Sequence, residues 1–245
     1  MDLKTNTSPT REHRRLWQEK PVLRIVYEDL FRRLREQCVP GSVLEIGGGS
    51  GNFKESRPDT TSLDIQPLPW VDVVADAHDL PFAEASFDNI VMLDTLHHLE
   101  RPVIFLRDAA RVLKPGGRLV MIDPMMSPLS RFFYHHFHPE PVDMKADPYA
   151  EGPRDADRDP FASNQAIPTL LFFKARARFG DAFREFKLLE CRGFALFAYP
   201  LSGGFRPWSL LPAFAATPLL CLERCIEGVL APLMGFRMIV VVERL

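Results

Sequence analysis

An α/β fold, with a mostly parallel sheet carrying helices on both faces, is what the sequence predicts, and three observations predict it. Between residues 43 and 123 of the 245-residue chain, short β-branched runs alternate with helical stretches. The first run, Val43-Leu44-Glu45-Ile46, breaks directly into Gly47-Gly48-Gly49-Ser50-Gly51. The next, Ser62-Leu63-Asp64-Ile65, carries a carboxylate 13 residues past Gly51. A buried strand that feeds alternate glycines builds a pocket walled by backbone, and an acid at the tip of the second strand can accept both vicinal hydroxyls of a ribose. An adenosine-containing ligand is therefore expected.

Taken in order, residues 11–38 read as one or two amphipathic helices, with Leu16, Trp17, Leu23, Ile25, Val26, Tyr27, Leu30, Phe31 and Leu34 on the apolar face. The glycine run follows, and by itself it could be ordinary turn chemistry. Downstream come Val71–Ala77 with its acid Asp76, then Leu80-Pro81-Phe82, and the strand-like Ser86–Asp94. A helix from about Pro102 to Leu113 leads through Lys114-Pro115-Gly116-Gly117 into the apolar run Arg118–Asp123. Met238–Glu243 supplies a final strand.

The motifs LEIGGGSG, SLDI, ADAHDLPFAEASFDNIV, LDTLHHL and RVLKPGGRLVMID stand in this order over about residues 40–124. In them the chain resembles the class I S-adenosylmethionine-dependent methyltransferases, and within these the type 11 branch that includes the ubiquinone/menaquinone methyltransferases. A nicotinamide-binding reading fits less well, because Gly47, Gly49 and Gly51 alternate, an acid sits at Glu45 and residue 52 is Asn. The resemblance implies a Rossmann-like seven-stranded sheet with insertions after strand 5 and between strands 6 and 7. It also implies S-adenosyl-L-methionine as cofactor, with Glu45, Gly47, Gly49 and Gly51 at the methionine part, Asp64 and Ile65 at the ribose, Asp76 and Ala77 at the adenine edge, and Leu93 beyond strand 4. His97 and His98 follow, where similar enzymes place a histidine near the cofactor; a helix-cap contact is the plainer role. In related enzymes the N-terminal segment lies over the cofactor, so Trp17, Lys20, Arg24 or Tyr27 would close the pocket.

On this basis residues 1–38 form an N-terminal helical cap, 39–124 the cofactor-binding core, 125–168 an acceptor-site lid, and 169–245 the rest of the same domain with an apolar helical insertion. The lid is long and has no periodicity, which in a compact domain points to function. Its Phe132, Phe133, Tyr134 and Phe137 would be apolar walls. His135, His136, His138, Glu140 and Asp143 gather beside them, so one histidine would act as general base or, more plainly, hold the lid by hydrogen bonds. These histidines lie too close together for a clean tetrahedral site, and no metal is expected.

A net charge of −2 argues against nucleic acid as partner. Cys38, Cys191, Cys221 and Cys225 show no zinc-like spacing and read as reduced thiols. With no apolar leader in the first 15 residues and no run long enough to span a bilayer, a cytoplasmic protein is expected. The apolar segment 201–236 must cover its surface against the domain, a second copy in a homodimer, a peripheral lipid interface or a greasy acceptor. The function expected is methyl transfer to oxygen, nitrogen or carbon of a small hydrophobic or lipid-linked molecule. The alternative is a catalytically silent cofactor-binding subunit that serves interaction or regulation.

Overall fold

Strand β1 (Val43–Ile46) is buried at every position and pairs in parallel with β2 (Thr61–Asp64) on one side and β4 (Phe87–Leu93) on the other. The computed structural model describes residues 9–155 and 157–245, so the first eight residues of the expected N-terminal cap lie outside the described residues. The sheet is completed by the short β3 (Val73–Val74), β5 (Leu113–Pro124), β6 (Phe186–Phe194) and β7 (Arg237–Arg244), in the order β3-β2-β1-β4-β5-β7-β6. Strand β7 runs antiparallel between β5 and β6. The seven-stranded, mostly parallel α/β fold expected from the sequence is thus observed.

Side-chain alternation along the strands builds two cores. Leu119 and Met121 of β5, Ile90 and Met92 of β4, and Val240 and Val242 of β7 face one layer. There they meet Val103, Phe105, Leu106 and Ala109 of α4 (Pro102–Val112), together with Phe172, Phe179 and Phe183. Val120, Ile122, Val91, Ile239 and Val241 face the other layer, where Leu23, Tyr27, Leu30, Phe31 and Leu34 of α2 (Pro21–Gln37) cover them. The N-terminal segment is two helices, α1 (Pro9–Glu19) and α2, because Pro21 starts a new helix where its missing N–H costs nothing. A short α3 (Asn52–Ser56) follows the glycine run.

The segment after β5 is less irregular than its composition suggests. It opens with α5 (Pro128–Phe137), started by a capping box in which Ser127 and Ser130 bond each other's backbone N–H. Further on come the short α6 (Ile167–Thr169), a π-helical turn over Leu170–Lys174 and α7 (Arg176–Ala182). The apolar segment before β7 forms α8 (Ala198–Ser202) and the 22-residue α9 (Ala213–Met234). α9 is turned inside out. Its Glu223 is buried and accepts from the backbone N–H groups of Leu196, Phe197 and Ala198, and its Glu227 binds Arg33 through both oxygens at 2.9 Å. Phe214, Leu222, Val229 and Leu233 face outward. No helix among the described residues is long and apolar enough to cross a membrane.

Candidate active site

The strand order reverses at β1, whose neighbours continue the sheet in opposite directions, and a ligand crevice is expected beyond the carboxyl ends of β1 and β4. A cavity of about 930 Å³ opens there. Gly47 and Gly48 leave β1 donating their N–H groups to Leu63 O at 2.9 and 3.0 Å, which turns the chain sharply across the tip of β2. At Gly47 φ is +74° and a Cβ would run into Thr95, so this turn needs glycine. At Gly49 φ is +48° and the nearest atom to a Cβ is Gly47 O at 3.7 Å, so the space in front of it is free for a ligand.

Glu45, Gly47, Gly49, Asp64, Ile65, Asp76, Ala77, Leu93 and His97 all line the cavity, as the sequence expects of cofactor-binding residues. Asp64 also shapes the turn: Oδ2 accepts from Gly49 N at 2.8 Å and Oδ1 from Gln66 N at 2.9 Å. Burial pushes the Glu45 carboxyl up to about 8, with the negative charge of Asp64 acting in the same direction. Glu45 Oε2 has no hydrogen-bond partner, and the residue lines the cavity. The Asp76 carboxylate is engaged by His78, through its backbone N–H at 2.8 Å, and by Arg154 of the segment after β5.

Several expectations are corrected by placement. Gly51 does not line the cavity; its Cβ would strike the Trp70 indole, so glycine is required there by protein packing. Trp17 is buried behind the cavity wall with its indole N–H on Glu55 at 3.0 Å, and Arg24 faces outward onto the Gln18 carbonyl at 2.8 Å. In their place α1 and α2 offer Thr10, His13, Tyr27 and Phe31. Arg14 of α1 donates to Ser50 O at 2.6 Å and so ties this cap to the glycine turn. Lys20 is a clamp: its Nζ donates to the carbonyls of Gly204, Arg206 and Trp208, each at 2.8 Å, and fixes a loop that walls the cavity.

His135 and His136 are exposed, as are Phe132 and Phe137, because the inner side of α5 is taken by Ser130 and Tyr134 and the helical period turns these four outward. Neither His135 nor His136 can serve as the base. His138, just past the helix end, lines the cavity with Phe133 and Tyr134, and burial holds its imidazole down to about 4.

The polar centre at this end is one the sequence did not assemble. His97 sits on a 3-10 turn (Leu96–His98) after β4, with Nδ1 2.7 Å from Asp123 Oδ1 at the end of β5 and Nε2 3.3 Å from Glu140 Oε2 of the lid. Burial alone would lower the His97 pKa, but the hydrogen bonds it donates to both carboxylates outweigh it and raise it to about 9. His98 beside it is pushed down to about 4 by burial and by the charge on His97. Deeper in, Arg237 pairs with Asp94 at 2.8 Å and stacks over the Tyr199 ring at 4.1 Å, with Tyr27 Oη 3.5 Å from Asp94. Asp123 carried one signal in the sequence, a lone acid closing an apolar strand. Asp94 carried the same signal at the end of Ser86–Asp94, whereas Tyr199 and Arg237 carried none, since only the fold brings them beside it.

Residues 44–121 match the family model described as a methyltransferase domain. Over 54 residues the chain is 48% identical to 27-O-demethylrifamycin SV methyltransferase of Amycolatopsis mediterranei, covering 22% of this chain and 20% of that one. Over 100 residues it is 40% identical to demethylmenaquinone methyltransferase of Tropheryma whipplei, covering 33% of this chain and 41% of that one. The chain thus spans less than half the length of these relatives. A Thermotoga maritima S-adenosylmethionine-dependent methyltransferase, described as a possible histamine N-methyltransferase, shares the fold with a TM-score of 0.59 and 19% identity over 96% of both chains. The glycine turn, the acid on β2 and the strand order agree with that match: residues 44–121 match a methyltransferase domain, and the sheet has the fold seen in S-adenosylmethionine-dependent methyltransferases.

Proposed function

We propose that this chain transfers the sulfonium methyl of S-adenosylmethionine to a small, largely apolar acceptor. The observation that carries the reading is the continuity of one cavity, lined at one end by Glu45, Gly49 and Asp64 and at the other by Tyr27, Phe133, Tyr134, His97 and Tyr199. Ligand sites commonly enclose ~300–1,000 Å³, and about 930 Å³ gives room for a second molecule beside the cofactor.

In this reading Asp64 accepts the ribose hydroxyls, the backbone at Gly47 and Gly49 contacts the methionine part, and Glu45 pairs with its ammonium. The acceptor's electron pair forms the new bond to carbon as the carbon–sulfur bond breaks, and sulfur keeps that pair. Alignment within about 3 Å supplies much of the rate. The aromatic end of the cavity suits a hydrophobic acceptor, and the relatives' names, a menaquinone precursor and a rifamycin, support that class. The test is S-adenosylhomocysteine formation when the protein meets S-adenosylmethionine and an extract of quinones, polyketides and lipids. Product formed from a hydrophobic fraction supports the reading; cofactor binding without turnover in every fraction would leave a silent binding subunit in its place.

A further inference from the structure

Three groups at the acceptor end are arranged as ligands around one point. A nitrogen of His97, a nitrogen of His98 and a carboxylate oxygen of Glu140 all lie within 4.8 Å of one another, and all three residues line the cavity. The orientation of each is already fixed from behind. His97 gives Nδ1 to Asp123 at 2.7 Å, which leaves Nε2 facing Glu140. His98 has the Ala162 backbone beside it, and its Nδ1 has no hydrogen-bond partner. Glu140 is held by Ser163 Oγ at 3.1 Å and by the Gln165 amide.

Carboxylate and carbonyl supports behind imidazole ligands are the arrangement that sets ring orientation in metal sites. A second observation is independent of the ligand distances: His98 Nδ1 and Gln165 Oε1 are buried electron-pair donors without a hydrogen-bond partner. Gln165 is 3% exposed and lines the same cavity. Unpartnered buried donors of this kind need a cation or a proton donor that the protein itself does not supply.

We infer that His97, His98 and Glu140 form a binding site for one divalent transition-metal ion of the zinc class, open on its cavity side to the methyl acceptor. Two imidazoles and one carboxylate suit zinc, iron or cobalt more than magnesium or calcium, which prefer all-oxygen sets. Three protein ligands leave a position for an acceptor oxygen, as in sites where the ion does chemistry. The ion would polarise that oxygen and ease the loss of its proton to water before the methyl arrives. This inference rests on the methyl-transfer reading only for the identity of the oxygen, and the ion site stands on its own geometry.

The test uses the full chain with Cys221 and Cys225, both exposed on α9, changed to serine so that they do not collect the ion. Cobalt(II) is titrated by its visible absorbance, bound zinc is counted after dialysis, and S-adenosylhomocysteine binding is measured on the same samples. One ion per chain is expected. His98→Gln and Glu140→Gln should each weaken it at least tenfold while S-adenosylhomocysteine affinity stays within twofold, which also shows that the variants fold. An absent ion, or an ion whose affinity neither variant changes, overturns the site while leaving the methyltransferase reading intact. Loss of S-adenosylhomocysteine binding by the parent protein would instead overturn that reading, whatever the ion does.

Discussion

His97 Nδ1 lies 2.7 Å from Asp123 Oδ1, and the two side chains are 3% and 2% exposed. The pair links the end of β4 to the end of β5 at the wall of the cavity. With Glu140 on the other nitrogen, the folded protein holds the His97 proton up to about 9, above its ordinary 6.5. A raised histidine contributes stability that is complete below pH 6.5 and is lost as pH rises through 9. In chelator-treated protein, Asp123→Asn should therefore destabilise most near pH 6 and least near pH 10. Thermal melts across that range, with imidazole NMR to follow His97, decide it; an equal loss at every pH would mean that the pairing carries no charge.

The Asp64 carboxylate is the predicted ribose acceptor, and Asp64→Ala should weaken S-adenosylhomocysteine binding roughly ten- to a hundredfold, about 1.5–3 kcal/mol. Because Asp64 also accepts from Gly49 N and Gln66 N, Asp64→Asn, which keeps one acceptor oxygen, should lose less. Calorimetry of both variants measures the difference, and a wild type that binds nothing would end the cofactor assignment.

Glu45 offers a test with two readouts. Its folded carboxyl is raised by burial from 4.5 to about 8, so its contribution to stability is complete below 4.5 and is lost as pH rises through 8. Glu45→Gln should melt close to wild type at pH 5 and clearly above it at pH 9. Cofactor affinity of the wild type should rise with pH towards 8, as the ammonium finds an ionised partner, and should be flat and weaker in the variant. Parallel pH profiles for the two proteins would separate Glu45 from the ligand.

Gly49→Val should abolish cofactor binding with the fold retained. The substitution places a β-branched residue at φ +48° in otherwise open space. The left-handed backbone costs roughly 1–2 kcal/mol, too little to unfold a domain of this size. Circular dichroism should look native while calorimetry shows no heat of binding. Retained binding would mean that the glycine run is turn chemistry alone.

Among the lid histidines, His138→Ala should impair turnover, whereas His135→Ala and His136→Ala should have no effect, because only the first lines the cavity. Methyl-transfer rates of the three variants with one acceptor settle the order, and an inactive His136→Ala would refute the placement of α5.

The glycine-turn half of the cavity was legible because its pattern is local. Glycines at alternate positions, an acid at a strand tip and the order of strands and helices are written within about 80 consecutive residues, and the fold only closes them up. The acceptor half was not, for two physical reasons. His97, Asp123 and Glu140 come from three separate elements, and no periodicity links a turn after β4 to the end of β5 and a loop. The lid histidines misled because clustering in sequence is not clustering in space: α5 turns His135 and His136 to solvent, while the bonded pair Tyr27 and Asp94 stand 67 positions apart. In α9 the pattern misled in part, since Glu223 and Glu227 are buried beside Ala216 and Ala231 while Phe214, Leu222, Val229 and Leu233 face out.

The Lys20 clamp has a kinetic consequence. It joins the α1–α2 corner to carbonyls 184, 186 and 188 positions away, and His13 stacks on Phe205 at 4.5 Å across the same seam. The α1–α2 corner and the 203–208 loop therefore share one latch, three bonds to a single ammonium. Amide protons on both sides of the seam should exchange at a common rate set by that one opening event.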